Sequence, residues 1–595
     1  MSESLVKVSI VIPTYNRRFS LVRTLDSIAS QDFPATEYEV IVVADGCTDS
    51  TEEYLQSFRP ACSFRWLAQA NLGAAAAQNA GIAAAVGDLI IFVDDDCICD
   101  PGFVAAHVEA HRDSDRMVAI GPMLVHPETP RGILKDVKGD VARADFERLI
   151  AGEVRRSDLM LCANSSISRQ AALEFPFDPS YKRMHDIEVG LRLGAKGYRP
   201  KFAPNAIAYE LFTKSVDSVM SDVRHQGRYE VFLAGKYPEF KPLAALVRIN
   251  EGSPVKRWLR KQLAQHAGVS EFALRLVYGV SERLRSFPLF AATAHRALRA
   301  RLGLQHVRGA IEEAGSWQEL ERRFGKRVPV IIYHNVGSPR IGEYPGLTTP
   351  PDEFESQIRL LKKMGYAAIV PEEWLQWRDG GAALPEKPVM VVFDDGYEEA
   401  AQVAFPIMER HGFKAACMVV TGCIGMTNRW DEEAGRPSFQ LMNESQIQQW
   451  VSRGFEFGGH TQSHRELPLE TDERVELEVA QCKQDLARVL GKPPTSFAYP
   501  FGGLSESATA AVRRHFHMGF TSWPGRLHLA TDPALIPRIA FLPGESKFGM
   551  WCRLRLGRNP NEVLRNRLKK LAGKRDRDSS GDVHAKTDRK QSEIQ

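Results

Sequence analysis

The sequence predicts an α/β protein with two separate sheet domains joined by helices. Apolar runs typical of buried strands alternate with helical spacing over roughly the first hundred residues, and the same alternation starts again near residue 328. The stretch between them is rich in Arg, Ala, Leu and Glu at helical spacing. We expect an N-terminal domain over 1–238, a helical connector over 239–325, a C-terminal domain over 326–547 and a basic, disordered tail over 548–595.

The N-terminal domain is predicted to be a doubly wound, Rossmann-like sheet. Residues 6–13 form a continuous apolar run with β-branched side chains, as expected for a strand buried on both faces. Sheets of this kind bind ligands at the carboxyl ends of their strands. The other predicted strands are 39–45, 64–68 and 88–93, and the predicted helices are 17–30, 49–58 and 74–85.

Polar residues follow three of these strands. Thr14 and Tyr15 come after the first, Asp45 ends the second, and three consecutive acids, Asp94–Asp96, follow the fourth. Neighbouring carboxylates repel one another unless a cation neutralises them. A divalent ion that bridges two phosphates would do so. An alternative role for the acids is to cap the helix that starts near Pro101.

Seven segments of the N-terminal domain resemble family 2 glycosyltransferases, which have the GT-A fold. The resemblance covers roughly residues 6–235, and the order and spacing of the segments match the family. The segments are Val8–Asn16, Asn71-Leu72-Gly73, Asn79-Ala80-Gly81, Asp94-x-Asp96, Asn164-Ser165-Ser166, Phe177-Asp178 and His185–Leu193.

This resemblance implies a nucleotide-sugar donor, UDP-linked because Asp45 stands where the family's uracil-contacting aspartate lies. It implies that Mg²⁺ or Mn²⁺ faces Asp96 with help from Asp94. The residues expected to hold the nucleotide are Thr14, Tyr15, Asp45 and Asp94.

By the same resemblance, Asp186 is the general base that accepts the proton of the acceptor hydroxyl in an inverting displacement. The acceptor would be a saccharide or a lipid-linked glycan. Another interpretation of Asp186 is an acid favoured at a helix N-terminus. The sequence departs from the family at His185, at Gln78 and at Tyr209-Glu210, where the usual residues are Glu, Arg and a His near the metal.

The connector is predicted to contain helices over 271–285, 291–302 and 307–324. Its positive charge favours either a solvated spacer or a basic face that makes peripheral contact with a membrane. We identify no catalytic motif in it.

The C-terminal domain is predicted to be a (β/α) barrel-like parallel sheet with a metal site. An apolar strand, 389–393, ends in Asp394-Asp395, and an earlier one, 328–333, leads to His334. His460 and His464 are four residues apart, which we expect to place them on one side of a helical turn. Two imidazoles and one carboxylate are the ligands of a catalytic zinc site.

These residues, with Phe497–Gly502, resemble the polysaccharide deacetylase family with NodB homology over roughly 328–540. The resemblance implies that Asp395, His460 and His464 bind Zn²⁺ or a similar divalent ion and that Asp394 is the general base for hydrolysis of an N-acetyl or O-acetyl group.

This half also departs from its family. Ala498 replaces the usual arginine that orients the base, and we expect Arg538 to supply that charge. The late motif that carries the catalytic acid has no clear match, and His528 is the candidate substitute. Val392 replaces the common threonine before the acid pair.

Net charge, cysteine content and hydropathy indicate which partners and which cellular compartment to expect. The net charge of +3 gives no reason to expect a nucleic-acid partner. The nine cysteines include no C-x-x-C pair, and we identify neither a secretory leader nor an 18-residue apolar run. We therefore expect a cytoplasmic protein, with any membrane contact at the inner face.

The sequence thus predicts a bifunctional enzyme of cell-surface polysaccharide or glycolipid biosynthesis. One alternative keeps the transferase and makes the C-terminal domain a non-catalytic carbohydrate-binding module. Another is a membrane-surface scaffold built on the basic connector and tail.

Overall fold

The chain forms two compact units, Met1–Phe324 and Gly325–Gln595. The computed structural model describes residues 6–112, 114, 116–152, 159, 163–249, 251–252, 254–344, 346–541 and 544–556. The helices predicted as a connector belong to the first unit.

The first unit begins with alternating strands and helices. Its strands are β1 Val8–Thr14, β2 Tyr38–Asp45, β3 Ser63–Gln69, β4 Leu89–Val93, β5 Cys97–Cys99, β6 Met117–Ile120, β7 Met123–Val125, β8 Asn164–Ser168, β9 Arg199–Phe202 and β10 Ala208–Glu210. The helices among them are α1 Arg18–Ala29, α2 Thr51–Ser57, α3 Ala74–Ala84, α4 Phe103–Ala110, α5 Ile133–Ile150, α6 Arg169–Glu174, α7 His185–Ala195 and α8 Val216–Lys236.

Seven of these strands form one sheet in the order β3-β2-β1-β4-β8-β6-β9. Strand β1 pairs in parallel with both β2 and β4, whereas β8 runs antiparallel to β4 and β6. A smaller sheet has the order β5-β10-β7. The parallel pairs confirm the predicted doubly wound fold and bring the ends of β1, β2 and β4 to one edge.

The larger sheet is buried on both faces. Alternate side chains of β1 enter two different apolar clusters: Ile10 and Ile12 lie in one, and Val11 lies in the other. The same alternation holds in β2. This two-sided burial explains why these strands are continuous apolar runs in the sequence.

Four further helices complete the first unit: α9 Pro254–Gln265, α10 Ala267–Arg283, α11 Pro288–Ala314 and α12 Trp317–Phe324. Helix α11 is 27 residues long and joins two helices that the sequence predicts separately. It starts with Pro288 and ends at Gly315, whose φ of 87° is left-handed. Among the described residues, none of the helices has both the length and the apolar content needed to cross a bilayer.

The second unit is built around a parallel sheet. Its strands are β11 Arg327–Val328, β12 Val330–Tyr333, β13 Asn335–Val336, β14 Thr348–Thr349, β15 Ala367–Ile369, β16 Pro388–Phe393, β17 Ala416–Val419, β18 Glu456–Gly459, β19 Ser496–Ala498, β20 Met518–Phe520, β21 Leu527–His528 and β22 Ile539–Ala540. Its helices are α13 Pro351–Lys363, α14 Pro371–Arg378, α15 Phe405–Arg410, α16 Arg429–Glu432, α17 Glu444–Val451, α18 Asp472–Leu490, α19 Glu506–His515 and α20 Lys547–Leu556.

The main sheet has the order β20-β19-β18-β17-β16-β12-β22, with β15 also paired to β16. All of its pairs are parallel, as predicted for a barrel-like βα fold. The carboxyl ends of β12, β16 and β18 therefore meet at one edge.

The second unit extends further along the chain than the sequence predicts, since the basic tail was expected to begin at residue 548. Helix α20 runs from Lys547 to Leu556, and its Met550 and Leu554 are buried in the main apolar cluster of the second unit. These two apolar side chains in a basic segment attach the helix to the core. Residues 557–595 of the predicted tail lie outside the described residues.

Candidate active sites

Two of the three acids after β4 are ion-paired to an arginine that the sequence analysis does not identify. The guanidinium of Arg17 lies 2.8 Å from Asp95 Oδ1 and 2.6 Å from Asp96 Oδ2. Thr14 Oγ1 donates a hydrogen bond to Asp95 Oδ2 at 2.7 Å. The acids do not cap the following helix, because β5 separates them from α4, whose cap position is Gly102.

Asp94 and Asp96 line a cavity of about 290 Å³ together with Glu210. Although Asp94 is exposed to this cavity, desolvation by the surrounding protein and the charges of Asp96 and Asp95 raise its pKa to about 7. Burial also raises the pKa of Asp95, to about 6, against the opposing charge of Arg17. The cavity therefore holds more negative charge than Arg17 alone compensates.

The Asp45 carboxylate organises a turn. It accepts hydrogen bonds from Gln69 Nε2 at 2.7 Å, from Leu72 N at 2.8 Å and from Gly73 N at 2.8 Å. Residues 71–73, the Asn-Leu-Gly segment of the sequence, are thus fixed by Asp45. Tyr15 is half exposed at the end of β1, where its ring is open to a ligand.

Asp186 is the second residue of α7 and is partly exposed. It does not line the cavity of Asp94 and Asp96. The neighbouring His185 is held in an apolar setting, its ring 5.5 Å edge-on from Phe177, and burial lowers its pKa. Asp186 thus lies at a helix N-terminus, where the macrodipole favours an acid, and its role as the general base stays a prediction.

Glu188, one turn further along α7, is a structural residue that the sequence reasoning missed. It is buried, accepts hydrogen bonds from Arg192 Nε at 3.1 Å and Nη2 at 2.9 Å, and also accepts one from the Tyr237 hydroxyl. These contacts tie α7 to the residue that follows α8.

In the second unit, three predicted ligands meet. The Nε2 atoms of His460 and His464 each lie 3.2 Å from Asp395 Oδ1, and all three side chains are buried. Among the described residues this is the one group of three His, Cys, Asp or Glu side chains whose ligand atoms lie within 4.8 Å of one another. Asp395 follows β16, and His460 follows β18.

The prediction that the two histidines lie on a helical turn is wrong. Thr461 has a φ of 64° and His464 a φ of 58°, both left-handed, so the segment after β18 is an irregular turn. The backbone N–H groups of Gln462 and Ser463 donate to the buried Glu478 carboxylate at 3.0 and 2.9 Å. Because Glu478 takes these donors, they are not available for helical hydrogen bonds.

Asp394 is ion-paired to Arg538, as the sequence predicts. Arg538 Nη1 lies 2.7 Å from Asp394 Oδ1, and Arg538 Nε donates to the Thr521 carbonyl at 2.8 Å. Burial alone would raise the pKa of Asp394, but the charges of Arg538 and His460 outweigh it and lower the pKa. The ion pair therefore keeps Asp394 ionised.

The walls of this site are aromatic. The ring of Trp430 stacks on His464 at 4.2 Å, and Phe501 meets the same ring edge-on at 4.7 Å. Both line a cavity of about 290 Å³ with Asp394, Asp395 and both histidines. Trp430 lies in the short helix α16, which carries no motif, so nothing in the sequence pointed to it.

Comparisons with known proteins match the two units to two enzyme families. Residues 9–171 match the model of Glycosyl transferase family 2, and residues 381–519 match that of Polysaccharide deacetylase. The chain contains a family 2 glycosyltransferase domain and a polysaccharide deacetylase domain. Both family assignments of the sequence analysis are confirmed, and both domains belong to families of enzymes.

Individual relatives resemble one half of the chain each. YxkH of Bacillus subtilis (strain 168), a candidate polysaccharide deacetylase, is 26% identical over 236 residues, which is 40% of this chain and 78% of that protein. Validoxylamine A glucosyltransferase of Streptomyces hygroscopicus subsp. jinggangensis (strain 5008) is 36% identical over 106 residues, 18% of this chain and 25% of that protein.

A third relative is the poly-beta-1,6-N-acetyl-D-glucosamine synthase of Staphylococcus epidermidis. It is 24% identical over 246 residues, which is 39% of this chain and 57% of that protein. The chain thus spans between a quarter and about three fifths of the length of these two transferases.

The donor atoms of the deacetylase domain suit a divalent metal. Two imidazole nitrogens and a carboxylate oxygen converge, and the Nδ1 atom of His460 lies 2.8 Å from the Ala498 carbonyl oxygen. Donation of the Nδ1 proton to that carbonyl leaves Nε2 free to bind a metal. In the transferase domain, Asp94, Asp96 and Glu210 line one cavity, and carboxylate oxygens are the ligands that Mg²⁺ and Mn²⁺ prefer.

The predicted acid substitute of the deacetylase domain, His528, lies elsewhere. It pairs with Arg327 in the β11–β21 ladder and is not among the residues that line the cavity. Burial and the charges of Arg327 and Arg526 lower its pKa to about 4, which disfavours a proton on its ring at neutral pH. His334, by contrast, follows β12 and does line the cavity.

Proposed function

We propose that the protein is a bifunctional enzyme of cell-surface polysaccharide or glycolipid biosynthesis. The first domain transfers a sugar from a UDP-linked donor to a saccharide or lipid-linked acceptor with inversion. The second removes an acetyl group, most often N-linked, from a carbohydrate. The observation that carries the proposal is the convergence of Asp395, His460 and His464 beside an Asp394 that Arg538 keeps ionised.

In the deacetylase reaction, Asp394 accepts a proton from the attacking water. A divalent ion on Asp395, His460 and His464 would polarise the acetyl carbonyl and make that water more acidic. Arg538 orients Asp394 through the 2.7 Å contact and preserves its charge. The reaction consumes the acetamide group and one water molecule and produces a free amine and acetate.

His334 is our candidate for the group that protonates the leaving amine. It follows β12 and lines the cavity together with Asp394 and Asp395. This placement fits an acid on the site wall, the role for which the sequence had suggested His528. Trp430 and Phe501 shield the histidine pair from bulk water.

In the transferase reaction, Asp186 accepts the proton of the acceptor hydroxyl as that oxygen attacks the anomeric carbon. Tyr15 contacts the nucleotide at the end of β1, Thr14 supports the acidic edge through Asp95, and Asp45 fixes the turn that borders the nucleotide. Mg²⁺ or Mn²⁺ on Asp94 and Asp96 would neutralise the departing diphosphate. An N-acetylated sugar is supported by the similarity to the poly-N-acetylglucosamine synthase.

We also propose a cytoplasmic location with peripheral contact at the inner face of the membrane. The cysteines among the described residues are free thiols, which suits a reducing compartment. The basic connector helices supply the charge for contact with anionic lipid.

Acetate release from N-acetylated glucosamine oligosaccharides tests the deacetylase assignment. We expect the purified protein to release acetate, to lose this activity on chelation and to regain it with zinc or cobalt. His460→Ala should abolish release and lower metal content, whereas His517→Ala, in the same domain away from the cavity, should change neither. A protein that binds no metal and releases no acetate would instead be a transferase with a carbohydrate-binding module.

A further inference from the structure

Helix α10 packs against its own domain with a mixed side. Ser270 and Ser281 on this side are buried, and the ring of Tyr278 lies against a small apolar cluster of the domain. The opposite side carries Val269, Phe272, Leu276 and Val280, which are 75%, 72%, 60% and 47% exposed. The intervals of three and four residues place these four on one stripe, which we call the α10 stripe. A soluble helix normally has the reverse arrangement.

A buried ion pair fixes this orientation. Arg301 of α11 is only 3% exposed, and its guanidinium lies 2.7 Å from Glu271 Oε1 of α10. The ring of Tyr278 packs 5.6 Å from the same guanidinium. Turning α10 to bury its apolar stripe would separate Arg301 from both of these partners, and a buried charge that loses its partners is strongly destabilising. The exposure of the stripe is therefore built into the fold.

Neighbouring segments expose more apolar surface. In α9, Val255, Trp258, Leu259 and Leu263 are exposed at intervals of three, one and four residues. Phe287, in the turn that leads to α11, is 62% exposed. An apolar surface of this extent, on a domain of ordinary composition, indicates a contact with something outside the domain.

The charges around this surface are mainly positive. Residues 254–290 contain seven Lys or Arg and two acids, Glu271 and Glu282, a net charge of +5. Both acids are engaged within the domain, Glu271 by Arg301 and Glu282 by Arg285 at 2.7 Å. Helices that lie in a membrane interface combine basic residues with Trp, Phe and Leu in this way.

We propose that α9 and α10 lie on an anionic lipid bilayer, with the α10 stripe and Trp258 inserted at the level of the headgroups. This specifies the face that makes the membrane contact proposed above, and it does not depend on either catalytic activity. Apolar burial supplies part of the affinity, and attraction of the basic side chains to anionic headgroups supplies the rest.

Sedimentation of the full chain with vesicles tests this surface. One set of vesicles contains phosphatidylcholine alone, and the other contains in addition about 30% phosphatidylglycerol. The test variant is Phe272→Glu with Leu276→Glu. The matched control is Leu469→Glu with Leu477→Glu, which changes two exposed leucines of the second unit by the same charge.

We expect wild type and control to bind the anionic vesicles and to be released when salt rises from about 0.05 M to about 0.5 M. The test variant should partition at least about tenfold more weakly. Circular dichroism and the melting temperature of each full-length variant show whether it is folded, and neither measurement requires catalytic activity.

Three results would overturn the proposal: no binding of wild type to either vesicle, equal binding of the test variant and wild type, or equal binding to neutral and anionic vesicles. Analytical ultracentrifugation distinguishes the main competitor. A wild-type dimer that the test variant converts to monomer, without vesicle binding, would assign the α10 stripe to a second copy of the chain.

Discussion

At the scale of single residues, the ion pair between Arg538 and Asp394 controls the proposed base of the deacetylase site. Both side chains are at most 3% exposed, so neither charge has water as an alternative partner. Replacing Arg538 with Ala should lower kcat for acetate release about a hundredfold, because Asp394 would favour its protonated form. Arg538→Lys should restore part of the rate.

Arg513→Ala is the control for this prediction, since Arg513 pairs with Asp532 in the same domain but is largely exposed. Metal content by mass spectrometry and the melting temperature separate a catalytic defect from an unfolded domain. Wild-type kcat in a folded Arg538→Ala protein would show that Asp394 does not need this partner.

Some site residues could be found from sequence and others could not. Local sequence pattern was enough to predict the four residues that lie at strand ends or at metal-ligand spacing, which are Asp394, Asp395, His460 and His464. Arg538 could be inferred because Ala498 left a known charge missing. Arg17 and Trp430 carry no such signal, since an arginine after a strand or a tryptophan in a short helix has many ordinary roles.

At the scale of elements, the crossing of α8 and α11 depends on two glycines. A Cβ atom on Gly309 would lie 1.8 Å from the Arg224 carbonyl oxygen, and one on Gly227 would lie 2.0 Å from that of His306. We therefore expect Gly309→Ala to lower the stability of the first domain by about 2 kcal/mol.

Gly303→Ala is the matched control, because Gly303 lies on the same helix and a methyl group added there would meet no atom within 4 Å. It should leave stability unchanged or raise it by up to about 1 kcal/mol through helix propensity. Calorimetric melting of the two variants checks both values. Equal melting temperatures would mean that the two helices do not pack this closely.

The carboxyl group of Glu456, at the start of β18, should make stability depend on pH. Glu456 accepts hydrogen bonds from Glu372 N at 2.9 Å and Thr495 Oγ1 at 2.8 Å, and burial raises its pKa to about 7. The unfolded chain releases this proton near its ordinary value of 4.5, before the folded protein does. This contribution is therefore complete below about pH 4.5 and is lost as pH rises to about 7.

Glu456→Gln removes the titration. Between pH 5 and pH 7, taken as approximate limits of the window, wild type should lose about 1–2 kcal/mol more stability than the variant. Urea unfolding at both pH values measures the difference. Parallel losses in the two proteins would show that Glu456 ionises normally in the folded state.

Element types were easier to predict than local geometry. The strands β1, β2, β4, β12 and β16 are long apolar runs rich in β-branched residues, so they could be predicted, whereas the shorter strands such as β5, β7 and β10 were not. The turn after β18 could not be predicted, because the same H-x-x-x-H spacing suits a helix. What excludes the helix is the left-handed backbone of Thr461 and His464, and Glu478 of α18 binds the backbone N–H groups of Gln462 and Ser463 in this turn. Helix α20 was missed because its Met550 and Leu554 stand among basic residues.

At the scale of the whole molecule, each candidate site draws its residues from one compact unit. Asp45, Asp94, Asp96 and Asp186 lie within the first, and Asp394, Asp395, His460 and His464 lie within the second. The two proposed reactions should therefore fail independently when single residues are changed. The presence of two families in one chain could be predicted from the sequence, because each family has its own motifs.

The most direct test of the bifunctional account is a crossed comparison of Asp186→Asn and Asp394→Asn in the full chain. Release of nucleoside diphosphate from a UDP-linked amino sugar and release of acetate from an N-acetylated oligosaccharide would be measured for each protein. We expect Asp186→Asn to lose only the first activity and Asp394→Asn to lose only the second, each by at least about a hundredfold. Full retention of either activity in the variant designed to remove it would contradict the assignment of that site.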